Sequence, residues 1–306
     1  MVVGPPSYLA RHGIYPSAAD VDLFLDRHVT LFRVPFLWER LQRALNTELD
    51  AEELARLDTL VGYITARGAS VVLDPHNYAR YVRRGVGLEI DASALADFWA
   101  RLARVYRNNP RVVFALMNEP HDMPTEVWRD DANRAIAAIR GAGATNLILV
   151  PGNAWTGAWS WEDRWYGTSN AVAMLAVRDP LQNLAFEVHQ YLDPDYSGGY
   201  TSAAAGTSPC GGPTLGAERL APFIAWAQAH GVRGFLGEFG VPAEETCLTA
   251  LDVMLDAVEA SQVFIGWTYW AAGPWWGDYP LSVQPDADGT DKPQFAILAK
   301  HLGNGL

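Results

Sequence analysis

Lysine is almost absent from this sequence, which carries only Lys292 and Lys300, and its 23 basic residues face 35 acidic ones for a formal net charge of -12. That balance argues against nucleic acid or an anionic membrane as partner, since both reward clustered Lys and Arg. It suits a neutral substrate. No run approaches the ~20 apolar residues of a transmembrane helix, and no charged-then-apolar leader opens the sequence. Cysteine is reduced to Cys210 and Cys247, both in loop-like contexts. Such a pair reads either as one disulfide formed in an oxidising compartment or as two free thiols. Repeats, Pro/Ser linkers and low-complexity tails are missing too, so residues 1–306 read as one domain with no appended binding module. No Gly-x-Ser-x-Gly occurs, and both Cys stand away from strand ends, which disfavours Ser or Cys nucleophiles.

What is present is a chain 49% hydrophobic and 19% charged, long enough for a large core. Short apolar runs at 31–36, 70–74, 112–118, 146–150, 184–189, 233–238 and 263–269 alternate with amphipathic stretches near 18–28, 51–67, 93–107, 126–140, 216–230, 246–261 and 292–302. Strands apolar on both faces and separated by helices imply a parallel sheet covered by helices. Seven strands with this rhythm predict a (β/α)8 (TIM) barrel whose first strand is missing or truncated at the N-terminus. Only Met1-Val2-Val3 precedes the turn-rich Gly4-Pro5-Pro6, too little for a strand of normal length. A slot left open there could recruit a neighbouring chain, so the reading is a monomer, with an oligomer as the alternative.

Polar residues gather where these strands end. Arg33 lies inside 31–36, His76 and Asn77 follow 70–74, and Asn118-Glu119-Pro120 closes 112–118. His189 and Tyr191 end the next such strand, Glu238 ends 233–238, and Trp270 follows the last. The C-terminal ends of barrel strands are where active sites are built. A charged residue in an apolar strand is costly unless paired, and Arg33 and Glu238 would relieve each other. Glycosidic cleavage needs two carboxyl groups, one protonated and one ionised. Glu119 and Glu238 are the Glu residues that close apolar strands and open loops; Glu187 sits within a strand, and Glu52, Glu53, Glu244 and Glu245 read as exposed first-turn or loop residues. Twelve Trp is a high count, and several lie in loops, where a Trp face can stack on a sugar ring or pack beneath the loop.

Other readings weigh less. His76 and His189, with Glu238 or Asp74, lack the closely spaced ligand pattern of a strong metal motif, so no metal and no cofactor is expected. Asp286-Ala287-Asp288-Gly289 lacks the rest of a calcium loop and reads as a polar turn. A carbohydrate-binding protein without catalysis would use the same aromatics but would not need both Glu119 and Glu238.

The segments Arg33-Val34-Pro35-Phe36, Asp74-Pro75-His76-Asn77-Tyr78, Leu116-Met117-Asn118-Glu119-Pro120, Val188-His189-Gln190-Tyr191-Leu192-Asp193, Gly237-Glu238-Phe239 and Trp270-Ala271-Ala272-Gly273-Pro274-Trp275-Trp276-Gly277 together resemble glycoside hydrolase family 5, most closely its bacterial and fungal endoglucanase (cellulase) branch. The match runs from about Tyr15 to near the C-terminus. The resemblance implies a secreted, retaining endo-β-1,4-glucanase acting on cellulose or cello-oligosaccharides; mannan, xyloglucan or mixed-linkage glucan are alternative substrates. It implies an acid/base on the fourth barrel strand and a nucleophile on the seventh. With the missing strand counted as the first, these fall on Glu119 and Glu238. It further implies that Arg33 and Tyr191 orient Glu238, that His76, His189, Asn77 and Asn118 contact sugar, and that Trp270 floors the central subsite. Trp275 or Trp276 would stack a glucose on the non-reducing side and Trp155 one on the leaving side, with Trp159 and Trp161 extending the groove. The two carboxyl groups are expected ~5 Å apart, the retaining distance.

Overall fold

Seven parallel strands follow one another around a single sheet in chain order: β1 (Leu31–Phe36), β2 (Ser70–Pro75), β3 (Val112–Ala115), β4 (Ile148–Pro151), β5 (Leu184–His189), β6 (Gly234–Glu238) and β7 (Phe264–Trp267). The computed structural model describes residues 1, 15–201 and 203–303. The reading of Val2, Val3 and the Gly4-Pro5-Pro6 turn lies outside them. Helices α1 (Ala18–Leu25), α2 (Ala51–Ala66), α3 (Ser93–Tyr106), α4 (Thr125–Gly141), α5 (Leu215–His230), α6 (Glu245–Ser261) and α7 (Pro293–Lys300) cover the outer face. Among the described residues this is a (β/α)8 barrel short of its first strand. Met1 lies beside β1: its amino group donates to the Leu31 carbonyl at 2.7 Å and its carbonyl accepts from Arg33 N at 2.8 Å. A cavity of about 490 Å³ lined by Leu31, Phe264, Trp267, Phe295 and Leu298 lies beside it, between β7 and β1.

The sequence explains the helices locally. Ser17 and Asp20 form a capping box at the start of α1, and the Asp50 carboxylate accepts from the Glu52 and Glu53 amides to start α2. Leu95, Phe98, Trp99, Leu102 and Tyr106 fall on one face of α3 and are buried. Gly231, left-handed at φ 61°, ends α5. Glu53, expected to be exposed, is instead buried, ion-paired to Arg40 at 2.5 Å and Arg56 at 2.8 Å. Among the described residues no helix is long and apolar enough to cross a membrane.

Strand alternation sorts the interior into layers. Leu31, Val72, Val113, Ala185 and Phe235 form an apolar plug inside the barrel, separate from the larger core between sheet and helices. Two residues further along β1, β2, β5 and β6, toward the C-terminal mouth, come Arg33, Asp74, Glu187 and Gly237. The chemistry is carried by that second layer and the loops above it.

Cys210 and Cys247 form a disulfide, with Cα atoms 5.2 Å apart. It ties the segment before α5 to the first turn of α6, so Cys247 belongs to a helix and not to a loop. Closing a 37-residue separation constrains the unfolded chain. Replacing both Cys by Ala is expected to cost about 2–4 kcal/mol in a denaturant titration. A difference within error of zero would mean that the cross-link contributes nothing to the fold.

Candidate active site

At the C-terminal mouth, β1 supplies Arg33, whose side chain is fully buried among acidic partners. Nη1 donates to Glu238 Oε1 at 2.5 Å; Nη2 donates to Asn118 Oδ1 at 2.8 Å and lies 3.2 Å from Asp74 and 3.4 Å from Glu187. The pairing of Arg33 with Glu238 is as the sequence predicts. Asp74 and Glu187 also crowd around the guanidinium. Burial alone would raise the Asp74 pKa, but Arg33 and then His76 outweigh it and hold the carboxyl below its ordinary range. Their signal was available: both sit at inward positions of apolar strands, in the layer of an Arg with five N–H donors to satisfy.

The two candidate carboxylates occupy different surroundings. Glu238 Oε2 accepts from the Tyr191 hydroxyl at 3.1 Å, so each of its oxygens has a donor. Burial, then Glu238, pushes the Tyr191 pKa well above its usual value, so the hydroxyl stays a donor. Glu119 follows β3 with φ at +40° and is more open, with His189 Nδ1 at 2.8 Å from its Oε1. Atoms of Glu119, His189 and Glu238 all lie within 4.8 Å of one another. One oxygen of Glu119 and one of Glu238 thus lie within 4.8 Å, so the two carboxyl groups face each other at short range.

The remaining predicted residues converge on the same mouth, with two exceptions. His76 Nδ1 donates to Asp74 at 2.8 Å, its Nε2 faces the Asn118 amide nitrogen at 3.2 Å, and its ring stacks on Trp270 at 5.4 Å between centroids. The Trp270–Ala271 peptide is cis. Trp276 meets the edge of Trp270 and stacks on Tyr279, and both Trp275 and Trp276 are half-buried. Trp155 is 39% exposed and stacks on His121 at 4.4 Å. It sits in a left-handed run, Ala154–Thr156, beside a cavity of about 670 Å³ that also touches Glu119, Trp159, Trp165 and Tyr196. Trp165, Tyr196 and His121 were not foreseen; loop aromatics without periodicity gave no means of ranking them. Asn77 departs from expectation: its Oδ1 accepts from Trp38 N and its Nδ2 donates to Glu39, so its amide organises the loop after β1. Trp161 departs further. It is fully buried, packed against Phe186, Phe223 and Trp226, and takes no part in the groove.

The same donor atoms account for the metal question. Atoms of Asp74, His76 and Glu238 also come within 4.8 Å of one another, but Nδ1 of His76 is bonded to Asp74 and Glu238 to Arg33 and Tyr191. The Asp286–Gly289 segment is a turn, with Asp286 N bonded to Thr290 O and Asp286 paired with Lys292.

Residues 8–275 match the family model described as cellulase, glycosyl hydrolase family 5. Endoglucanase 3 of Humicola insolens is 40% identical over 92% of this chain and 69% of its own length. The structure of an endo-β-1,4-glucanase of Xanthomonas axonopodis pv. citri superposes with a TM-score of 0.92 at 42% identity, covering 98% of this chain and 96% of that one. That of the Pseudomonas stutzeri endoglucanase Cel5A in complex with cellobiose does so at 0.87 and 33% identity, covering 96% and 86%.

Because Arg33 lowers the Asp74 pKa, their pairing contributes stability that is present above about pH 4 and is lost as pH falls through the lowered folded value. Arg33→Met strands the carboxylates and is expected to cost about 3–5 kcal/mol at neutral pH. The deficit should narrow on acidification, when protonated carboxyls no longer need the cation. Calorimetry across pH checks this; a deficit independent of pH would show that Arg33 acts through packing alone.

Proposed function

The chain belongs to glycosyl hydrolase family 5, and from that membership and the close approach of Glu119 to Glu238 we propose that it is a retaining endo-β-1,4-glucanase whose whole described chain serves as one catalytic domain. It is an enzyme that hydrolyses glycosidic bonds, with cello-oligosaccharide or longer β-1,4-glucan as substrate. The observation that carries the mechanism is the unequal solvation and bonding of the two carboxyl groups. Glu238 is buried, with Arg33 on one oxygen and Tyr191 on the other, and suits an ionised, oriented nucleophile. Glu119, more open and facing the 670 Å³ cavity, suits the group that exchanges a proton.

In the first step a Glu238 oxygen forms a bond to the anomeric carbon while the bond to the leaving oxygen breaks and Glu119 transfers its proton there. In the second, Glu119 takes a proton from water, the water oxygen bonds to the anomeric carbon, and the ester to Glu238 breaks. Trp270, held by its stack on His76, floors the subsite where the bond is cut. Trp155 lies on the Glu119 side, where the leaving sugar would stack, and Trp276 lies against Trp270. The disulfide supports an extracellular setting, where oxidising conditions maintain such bonds.

Viscosity and reducing ends followed together on carboxymethylcellulose test the activity. Rapid viscosity loss with few new ends is expected, and Glu238→Ala should lose roughly 10⁴-fold or more of it. Initial products of β-anomeric configuration by NMR are expected; α-anomers would replace the retaining assignment with an inverting one. Trp275→Ala and Trp276→Ala are each expected to raise KM on cello-oligosaccharides several-fold, consistent with about 0.5–1.5 kcal/mol per ring stack. Unchanged KM in both would remove these rings from the sugar path.

A further inference from the structure

Glu187 sits in β5, is fully buried and so cannot touch a sugar. We propose that Glu187 is a positioning residue for the reaction, holding His189 doubly protonated between Glu119 and Glu238; the proposal rests on the roles assigned above to those two carboxylates.

The argument begins with the ring. Nδ1 of His189 lies 2.8 Å from Glu119 Oε1 and 3.7 Å from Glu238 Oε2, and Nε2 lies 3.3 Å from Glu187 Oε1. A ring nitrogen facing an ionised carboxylate, or the unprotonated oxygen of a carboxylic acid, has to donate, and an imidazole donates from both nitrogens only as the cation. His76 makes the contrast, because its Nε2 faces an amide N–H and must accept there. The groups around His189 come from several elements: Arg33 from β1, Asp74 from β2, Tyr78 beyond it, Glu119 after β3, Glu238 from β6, and Tyr191 beyond β5. Arg33 opposes a second cation, so the anions must outweigh both it and the loss of water. Burial alone would lower the His189 pKa; Glu238, Glu119 and Glu187 together raise it to about 10. Of these three, Glu187 does not change its bonding during the reaction, whereas Glu238 becomes an ester and Glu119 gains and loses a proton. Glu187 is therefore the charge that persists.

The backbone is built to admit it. The register between β5 and β6 shifts between Val188 and His189, and a Cβ placed on Gly237 would lie 2.1 Å from Glu187 Oε1. Any side chain at 237 would evict the carboxylate. The consequence for chemistry is directional. With Nδ1–H donating to Glu119 Oε1, the acid's proton is kept on the other oxygen, free for the leaving group. A deprotonated Nδ1 would accept that proton and hold it away from the glycosidic oxygen.

The test uses imidazole ¹⁵N NMR and pH profiles on the whole protein. In the wild type His189 is expected to be doubly protonated at roughly pH 8, above the ordinary imidazole value. In Glu187→Gln its titration should fall by about one pH unit or more. Removing one negative charge from beside the reacting groups should also move both limbs of kcat/KM against pH to lower pH. Glu187→Asp should restore most of both shifts. A singly protonated His189 in the wild type at that pH would overturn the proposal even if Glu187→Gln fails to fold. So would a Glu187→Gln protein of lower Tm whose ring titration and pH limbs have not moved. The NMR needs no substrate: the expected ring titration in a protein that hydrolyses no glucan would remove the catalytic roles while leaving the charge pairing intact.

Discussion

A single buried guanidinium organises the mouth of this barrel. Arg33 has no exposure and stands within 3.4 Å of Asp74, Glu187 and Glu238. Unpaired, the cation or any of the three carboxylates would be prohibitively costly to bury. Together they are tolerable, because each supplies what another lacks, and a buried set of this kind fixes geometry more than it adds stability. The strand alternation that puts an apolar plug beneath this layer is what keeps water from reaching it from below.

From that arrangement the difference between the two reacting carboxyls follows. Glu238 inherits the Arg33 nitrogen and a Tyr191 hydroxyl, so its oxygens are fixed in direction. Glu119 stands two strands round from the cation, at a left-handed backbone position, bonded to His189 and open to a cavity. Identical side chains thus acquire unequal surroundings from their neighbours alone, as the proposed pairing of a proton donor with an ionised nucleophile requires.

Much of this was legible in the residue order. Strands 31–36, 184–189 and the helices between them are visible because apolar runs and 3.6-residue periodicity alternate cleanly, and polar residues at strand ends marked the mouth. The motif at 112–118 was read as strand throughout, but β3 stops at Ala115 and the chain leaves the ladder to carry Asn118 and Glu119. Glu187 is hard to rank from sequence because it lies inside a strand, although the alternation that buries Ala185 directs Glu187 inward as well. Trp161 was misplaced for the opposite reason: position in a loop says nothing of which way an indole turns, and here it fills the space beside Phe223 and Trp226. Asn77 shows the same limit, since an amide beside a catalytic strand end can serve either the substrate or the loop. The hairpin of Arg80–Tyr81 with Arg84–Gly85 is too short to leave a periodic trace.

The account depends on Glu238 forming a bond to the sugar, and that bond can be caught. A 2-deoxy-2-fluoro cellobioside with a good leaving group slows the second step, so the glycosyl-enzyme should accumulate and survive proteolysis for mass spectrometry. The account predicts one cellobiosyl unit on the peptide containing Glu238. Label on any other residue, or no covalent species from an enzyme that the reagent inactivates, would contradict it.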